Sequence, residues 1–113
     1  MADLRISKRD EGDDVILVLA GEIDVSTAPR LRDELNRLIH EPSGRVILDL
    51  SAVTFLDSTG LGVLVGRLKQ MRIGGGDLDL VVTSDRLLKN FAITGLDKVF
   101  RLFPTLTEAL AVR

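Results

Sequence analysis

The residues with the clearest chemical potential surround Ser58, where an apolar run at 46–50 is followed by a polar loop and then by a helical pattern. The helical pattern is indicated by apolar residues spaced three and four apart, namely Leu61, Leu64, Val65 and Leu68. The first turn of a helix presents unpaired N–H groups and the positive end of the helix dipole. Such a site accommodates a negatively charged modification of a hydroxyl. Ser58 is therefore a candidate switch, and we expect it to be the N-cap of this helix.

The same residues partly match the signatures of hydrolases, but each match is incomplete. In Asp57-Ser58-Thr59-Gly60 the glycine comes one residue too late for an aspartic protease, and no second motif supplies the carboxylate pair. A nucleophile elbow requires glycine two residues before the serine, where this chain has Leu56. The single histidine, His40, is expected as a solvated residue at the end of the first helix. No catalytic residue is therefore predicted.

Two further patterns are also better explained as structure than as catalysis. Asp77 and Asp79 begin an apolar strand, whereas the aspartates of phosphate-transferring dehalogenase-type enzymes follow one. The triplet 74–76 is all glycine, but it lacks the Lys-Ser/Thr pair of a phosphate-binding loop and lies at a helix end. Because the chain has no cysteine, thiolate metal sites are excluded as well. The sequence predicts no metal and no cofactor.

Length and charge limit the classes of protein that this chain can represent. With 113 residues, 45% of them hydrophobic, residues 1–113 are expected to form one domain around one core. The 15 basic and 17 acidic residues give a net charge of −2 without a basic stripe, which argues against nucleic-acid binding. No apolar run approaches the length of a membrane span, and Met1-Ala2-Asp3 does not begin a signal peptide. We expect a cytoplasmic protein with no membrane contact.

Strand and helix patterns alternate along the chain. Strands are expected at 4–7, 15–20, 46–50, 78–82 and 99–103, the first two forming a hairpin across a charged turn. Helices are expected from Ser26 or Thr27 to about Pro42, from Ser58 to about Arg72, from Ser84 to Gly95, and from Thr105 onward. Gly62 and Gly66 are expected to let the second helix approach a neighbouring backbone. This alternation predicts an α/β layer fold.

Three motifs occur in a characteristic order along these elements. They are Gly21-Glu22-Ile23-Asp24 with Thr27-Ala28, then Asp49-Leu50-Ser51 with Phe55-Leu56-Asp57-Ser58, and finally Ile93-Thr94-Gly95-Leu96 with Val99-Phe100. In this order the chain resembles, over essentially its whole length, the STAS domain of bacterial anti-sigma factor antagonists. The resemblance implies a single STAS domain of the α/β class, with a mixed β-sheet, an N-terminal hairpin and covering α-helices.

The resemblance also implies a mechanism. It implies that an anti-sigma factor with serine kinase activity binds the unphosphorylated protein, releases its sigma factor, and ends the interaction by phosphorylating Ser58. A metal-dependent serine phosphatase would restore the active form. Phosphate adds about −1.5 to −2 charge beside Asp57, which opposes a tight interface. The partner-binding residues that this implies are Asp24, Ser26, Thr27, Asp57, Ser58, Thr59, Gly60 and Leu61.

Two alternatives stay open at this point. Ser26 and Thr27 are explained equally well as residues that cap the first helix. The whole chain is also compatible with a STAS module of a transporter or signalling scaffold assembly, in which Ser58 only begins a helix and carries no phosphate. A neighbouring gene for a serine kinase would favour the regulator, and a lipid or anion transport operon would favour the transporter module.

Overall fold

The computed structural model describes residues 3–39 and 44–112, and within them the chain forms five strands and four α-helices. In chain order these are β1 (Leu4–Glu11), β2 (Asp14–Ile23), α1 (Ala28–Ile39), β3 (Arg45–Leu56), α2 (Ser58–Ile73), β4 (Asp77–Val81), α3 (Asp85–Ile93), β5 (Leu102–Phe103) and α4 (Leu106–Ala111). His40 and the predicted end of the first helix near Pro42 lie outside the described residues. None of the helices in these two ranges is long and apolar enough to cross a membrane.

The strands form one mixed sheet in the order β1-β2-β3-β4-β5. β1 pairs antiparallel with β2, and every other pair is parallel. The α/β class, the mixed sheet and the N-terminal hairpin are therefore confirmed. Because β2, β3, β4 and β5 run in one direction, their carboxyl ends meet at a single edge, which we call the carboxyl edge.

The hairpin is longer than predicted, and its turn is tighter. The charged residues at 8–11 belong to β1, so only Gly12 and Asp13 separate the two strands, and Gly12 adopts a φ of +60°. Among the described strands β1 pairs with β2 alone, so it lies at the edge of the sheet. Charged side chains are well tolerated on an edge strand, where they also discourage pairing with other chains. The prediction of a seven-residue charged turn was therefore wrong.

The two faces of the sheet are covered unequally. One face, called here the front, packs against α1, α2 and α3 and contains most of the core. Its strand residues alternate with outward ones, as a period of two requires, and include Val15, Leu17, Leu19, Val46, Leu48, Leu50, Leu78 and Leu80. The back face carries a small apolar cluster of Ile16, Ile47 and Val81, and the short helix α4 covers it through Ala109.

The region after α3 differs from the predicted strand at 99–103. Gly95 adopts a φ of +75°, and the chain then forms a 3-10 turn at Leu96–Lys98 before a strand of only two residues. Phe100 is buried in the front core, where its ring lies edge-on to that of Phe91 with centroids 6.1 Å apart. Burial of this aromatic ring accounts for the departure from an extended strand. The predicted caps Ser84 and Thr105 are confirmed, since each hydroxyl accepts an N–H three residues ahead.

A buried ionic cluster lies at the amino ends of the parallel strands, opposite the carboxyl edge. Arg45 is 5% exposed and donates to Asp14 Oδ2 at 2.6 Å, to Asp79 Oδ2 at 3.0 Å and to the Ala109 carbonyl at 3.0 Å. Arg101 donates to both oxygens of Asp79, at 2.9 and 2.5 Å. The hydrogen bond to Asp14, and after it that to Asp79, raises the pKa of Arg45 above its usual value. The cluster joins three strands to α4.

Candidate functional site

The loops that follow β2 and β3 begin side by side at the carboxyl edge. Ile23 is the register partner of Leu56, and the N–H of Asp57 donates to the Ile23 carbonyl at 3.2 Å. Asp24 and Asp57 each come directly after these paired residues. The segment around Ser58 and the loop around Asp24 are thus brought to one surface, although more than 30 residues separate them in sequence.

Asp57, not Ser58, is the N-cap of α2. Its backbone is extended, with φ −100° and ψ −175°, and its Oδ1 accepts the N–H of Gly60 at 3.1 Å. The prediction that the helix begins at Ser58 is confirmed, but the prediction that Ser58 caps it was wrong. The physical reason is that aspartate is as good a cap as serine and also carries charge that favours the helix dipole. The Ser58 hydroxyl is left outside the cap.

The four residues that open α2 divide between surface and core. Ser58 and Thr59 are exposed, whereas Gly60 is buried and Leu61 is only 8% exposed. A Cβ atom at Gly60 would lie 2.6 Å from both Ile23 Cγ2 and Leu56 Cδ1. Glycine at this position therefore allows the first turn of α2 to pack directly on the ends of β2 and β3. The core contacts of Gly60 and Leu61 hold Ser58 and Thr59 at the surface.

The loop between β2 and α1 is organised by the carboxylate of Asp24. Its Oδ1 accepts the N–H of Ser26 at 2.8 Å, the hydroxyl of Ser26 at 2.7 Å and the N–H of Thr27 at 3.1 Å. The hydroxyl hydrogen bond from Ser26 is the largest cause lowering the pKa of Asp24 below its ordinary value of 3.8. Thr27 is buried, and its hydroxyl donates to the Glu22 carbonyl and accepts the N–H of Asp24.

The hydroxyl contacts of Ser26 and Thr27 do not support the interpretation that these side chains cap the first helix. Thr27 immediately precedes α1, but all three of its hydroxyl contacts are with residues of the preceding strand and loop. The Ser26 hydroxyl is likewise held by Asp24. What remains at the surface of this loop is Ser26 together with Val25, whose exposure of 72% is high for an apolar side chain.

A depression runs from Ser58 along α2, with the end of α3 and the turn that follows it on the other side. A cavity of about 240 Å³ at its start is lined by Leu56, Asp57, Ser58, Leu61, Asn90, Ile93 and Thr94. The larger part, which we call the α2–α3 groove, has a volume of about 500 Å³ and is lined by Ser58, Leu61, Gly62, Val65, Gly66, Lys69, Thr94 and Leu96. The two share Ser58, Leu61 and Thr94, so they form one continuous surface.

Two residues of α3 at this surface were not among the predicted site residues. Asn90 Nδ2 donates to the Leu56 carbonyl at 3.2 Å, which ties α3 to the end of β3 just before the Ser58 segment. Ile93 is 75% exposed beside it. The sequence does carry a signal for Ile93, because this residue is apolar but does not belong to the buried positions of α3, Leu87 and Phe91. The contact of Asn90 depends on the tertiary fold and has no local signal.

Gly62 and Gly66 do not play the predicted role. A Cβ atom at either position would meet no described atom within 4 Å, so neither glycine is required by the part of the chain that the structure describes. The buried face of α2 is formed by Leu61, Leu64, Leu68 and Met71, and the two glycines line the α2–α3 groove instead. Throughout 3–39 and 44–112, no three His, Cys, Asp or Glu residues are grouped as metal ligands.

Comparison with known proteins agrees with this fold. The family model of the STAS domain matches residues 5–109, and the chain therefore belongs to the STAS family. Among curated proteins it is similar to the anti-sigma-B factor antagonist of Listeria monocytogenes, with 39% identity over 101 residues, covering 88% of this chain and 86% of that protein. The resemblance stated from the motifs is thereby confirmed.

Solved structures show the same likeness. The crystal structure of an anti-sigma factor antagonist from Mycobacterium paratuberculosis has a TM-score of 0.89 and 31% identity, covering 96% of this chain and 92% of that one. A sulfate transporter family protein from Wolinella succinogenes also matches, with a TM-score of 0.79 and 27% identity over 89% of this chain and 84% of that one. The fold is therefore shared by regulators and by a transporter family protein.

Proposed function

We propose that this chain is an anti-sigma factor antagonist whose phosphoacceptor is Ser58. In this proposal the unphosphorylated protein binds an anti-sigma factor that is also a serine kinase, and the bound sigma factor is released. The observation that carries the proposal is the exposed Ser58 at the first position of α2, with a hydroxyl that does not serve as the cap. The 39% identity with a relative named anti-sigma-B factor antagonist supports the same role.

Phosphate at Ser58 changes the surface while the fold is retained. The position lies at the positive end of the α2 dipole, which stabilises added negative charge in the isolated domain. Asp57 already places one carboxylate there, and phosphate adds about −1.5 to −2 charge. In an interface these like charges lose solvent and repel each other, so the kinase dissociates from the phosphorylated protein. A metal-dependent serine phosphatase then regenerates the binding form.

The partner surface follows from what the carboxyl edge exposes. Ser58 and Thr59 contact the kinase directly, together with Ser26 and the outer side of Asp24. The carboxylate of Asp57 contributes negative charge at the centre of this partner surface. The other predicted partner residues, Thr27, Gly60 and Leu61, are buried. They act indirectly, by holding the two loops in place, and do not touch the kinase. The protein acts in the cytoplasm through this surface, without catalysis, membrane contact or direct contact with nucleic acid.

Phosphorylation can be tested with candidate anti-sigma factor kinases from the same organism and ATP, with the modified residue located by mass spectrometry. Ser58→Ala is expected to abolish labelling. Thr59→Ala and Ser51→Ala are matched controls, since each removes a different exposed hydroxyl of the same region, and both should be labelled like the unmodified chain. Stoichiometric label on Ser58→Ala would overturn the assignment of the phosphoacceptor.

Binding can be tested by titration calorimetry against the same kinase. Ser58→Asp should weaken binding by about 2–4 kcal/mol through an unpaired charge in the interface. Ser58→Asn is the matched control, because it has almost the same shape without the charge, and it should bind much more tightly than Ser58→Asp. Equal affinities of Ser58→Asp and the unmodified chain would contradict the switch.

The second candidate function is a STAS module of a transporter assembly, which the likeness to the Wolinella succinogenes sulfate transporter family protein supports. In that case Ser58 is only the first residue of a helix. The labelling experiment would then give no phosphate with any candidate kinase, and the chain would copurify with a membrane transport component. Binding to an anti-sigma factor would exclude this alternative.

A further inference from the structure

We infer that the α2–α3 groove receives a helix of the anti-sigma factor, with apolar side chains against Val65 and Leu96 and an acidic side chain at Lys69. This inference rests on the proposed function, and it extends the interface from the Ser58 surface along the outer side of α2. Ser58 and Leu61 line both the cavity at the start of α2 and the groove, so a partner that covers Ser58 continues directly into it.

The first argument is the position of Gly62 and Gly66 in the middle of a 16-residue helix. Glycine destabilises a helix interior relative to alanine, because it loses more conformational freedom on folding. Neither glycine has a positive φ, and a methyl group at either would contact nothing. The isolated chain therefore gains nothing from glycine at these positions, whereas a partner backbone could approach α2 closely along this side.

The second argument is the lining of the groove. Val65 and Leu96 provide half-buried apolar side chains, and the buried Leu61 lies at the boundary with the front core. Ile93, 75% exposed, stands beside the adjoining cavity. An apolar groove along one helix, bordered on its other side by Thr94 and Leu96 beyond the end of α3, fits the apolar face of a partner helix, which is a recurring mode of protein recognition.

The third argument is charge. α2 contains three basic residues and no acidic one. Arg67 donates to Asn36 of α1, and Arg72 donates to Asp77 and to the Val99 carbonyl, so these two are engaged within the fold. Lys69 is exposed, lines the groove, and forms no ion pair with any residue in the part of the chain that the structure describes. An acidic side chain on the partner complements it.

The experiment measures the affinity of the candidate anti-sigma factor kinase for unphosphorylated glycine variants, together with their melting temperatures. Gly62→Ala with Gly66→Ala should raise Tm, because alanine is the better helix former. The same double variant should weaken binding about tenfold or more, since two methyl groups occupy space that the partner backbone needs. Gly66→Leu should weaken it further. Gly44→Ala is the matched control: its added methyl also meets nothing, but it lies outside the groove, and affinity should not change.

Charge is tested separately at Lys69. Lys69→Glu should weaken binding about tenfold by placing like charges together. Arg5→Glu is the matched reversal: Arg5 lies between Leu4 and Ile6, which pack into the front core, so its side chain is on the back face of the sheet. Arg5→Glu should leave affinity unchanged. Equal effects of the two reversals would overturn the role of Lys69.

The outcomes separate this inference from the proposed function. Loss of binding in Ser58→Asp, with unchanged binding in both glycine variants, overturns the groove and leaves the switch intact. A chain that binds no anti-sigma factor overturns both. Sedimentation is measured on the free chain as well, because a second copy in the groove would give a concentration-dependent dimer that the glycine variants abolish, and that result also overturns the inference.

Discussion

The cap of α2 provides a direct test of how the Ser58 segment is held. Asp57 is half-buried and accepts the N–H of the buried Gly60 at 3.1 Å, so removing its carboxylate takes away the hydrogen-bond acceptor of a largely buried donor. Ser58 is exposed and makes no cap contact. The two adjacent residues should therefore differ sharply in their contribution to stability, although sequence preferences alone rank them as equal caps.

The expected magnitudes follow from these contacts. Loss of an N-cap costs about 0.5–2 kcal/mol, and because the N–H that Asp57→Ala leaves without its acceptor belongs to a buried residue, a cost at the upper end of this range, ~2 kcal/mol, is expected in the free energy of unfolding. Asp57→Asn keeps an acceptor but loses the favourable charge at the dipole, which is worth roughly 0.5 kcal/mol. Ser58→Ala should be neutral or slightly stabilising, because alanine is a better residue inside a helix.

Urea and thermal unfolding of the three variants measure these differences. In a domain near this size, 1 kcal/mol shifts Tm by about 4 °C, so Asp57→Ala should melt ~8 °C below the unmodified chain. Asp57→Asn should melt within a few degrees of it, and Ser58→Ala should melt at or above it. If Ser58→Ala were as destabilising as Asp57→Ala, the assignment of the cap and of a free Ser58 hydroxyl would be refuted.

Two further predictions concern other charged groups. Asp79→Ala leaves Arg45 buried without one of its carboxylates and should lower the free energy of unfolding by about 3–5 kcal/mol in urea titrations. Arg9→Ala, which removes an exposed ion pair, should cost under ~1 kcal/mol, and similar costs for both would contradict a buried cluster. The pKa of Asp24 is lowered chiefly by the hydroxyl of Ser26, so its stabilisation is present above the ordinary value of 3.8 and lost as pH falls through the lower folded value. The stability difference between the unmodified chain and Asp24→Asn should therefore shrink on acidification, and a constant difference would count against it.

Local signals account for the parts of the fold that the sequence predicts well. The three glycines at 74–76 end α2, and the apolar run at 46–50 lies within the buried part of β3. The caps Ser84 and Thr105 depend on hydrogen bonds to residues three positions ahead. In each case the residues that determine the structure lie within a few positions of it.

Features that depend on tertiary contacts were missed. The choice of Asp57 over Ser58 as the cap depends on where β3 ends against Ile23, which adjacent residues of equal preference do not reveal. The pairing of Arg45 with Asp79 spans 34 residues. The burial of Phe100 against Phe91 replaces most of a strand that looks regular in sequence. The partner residues stay predictions for the same reason, since contact with another protein leaves no local pattern.

The buried ionic cluster has a consequence for folding. Strand β4 carries Asp79 on the back face between Leu78 and Leu80, which point into the front core. If β4 paired with β3 one residue out of register, every side chain would change faces. Asp79 would then enter the apolar front core without Arg45 or Arg101, and two leucines would face the ionic side. Misaligned intermediates are thus penalised by charge as well as by lost packing, and the strand end that precedes α3 reaches the carboxyl edge in a single alignment.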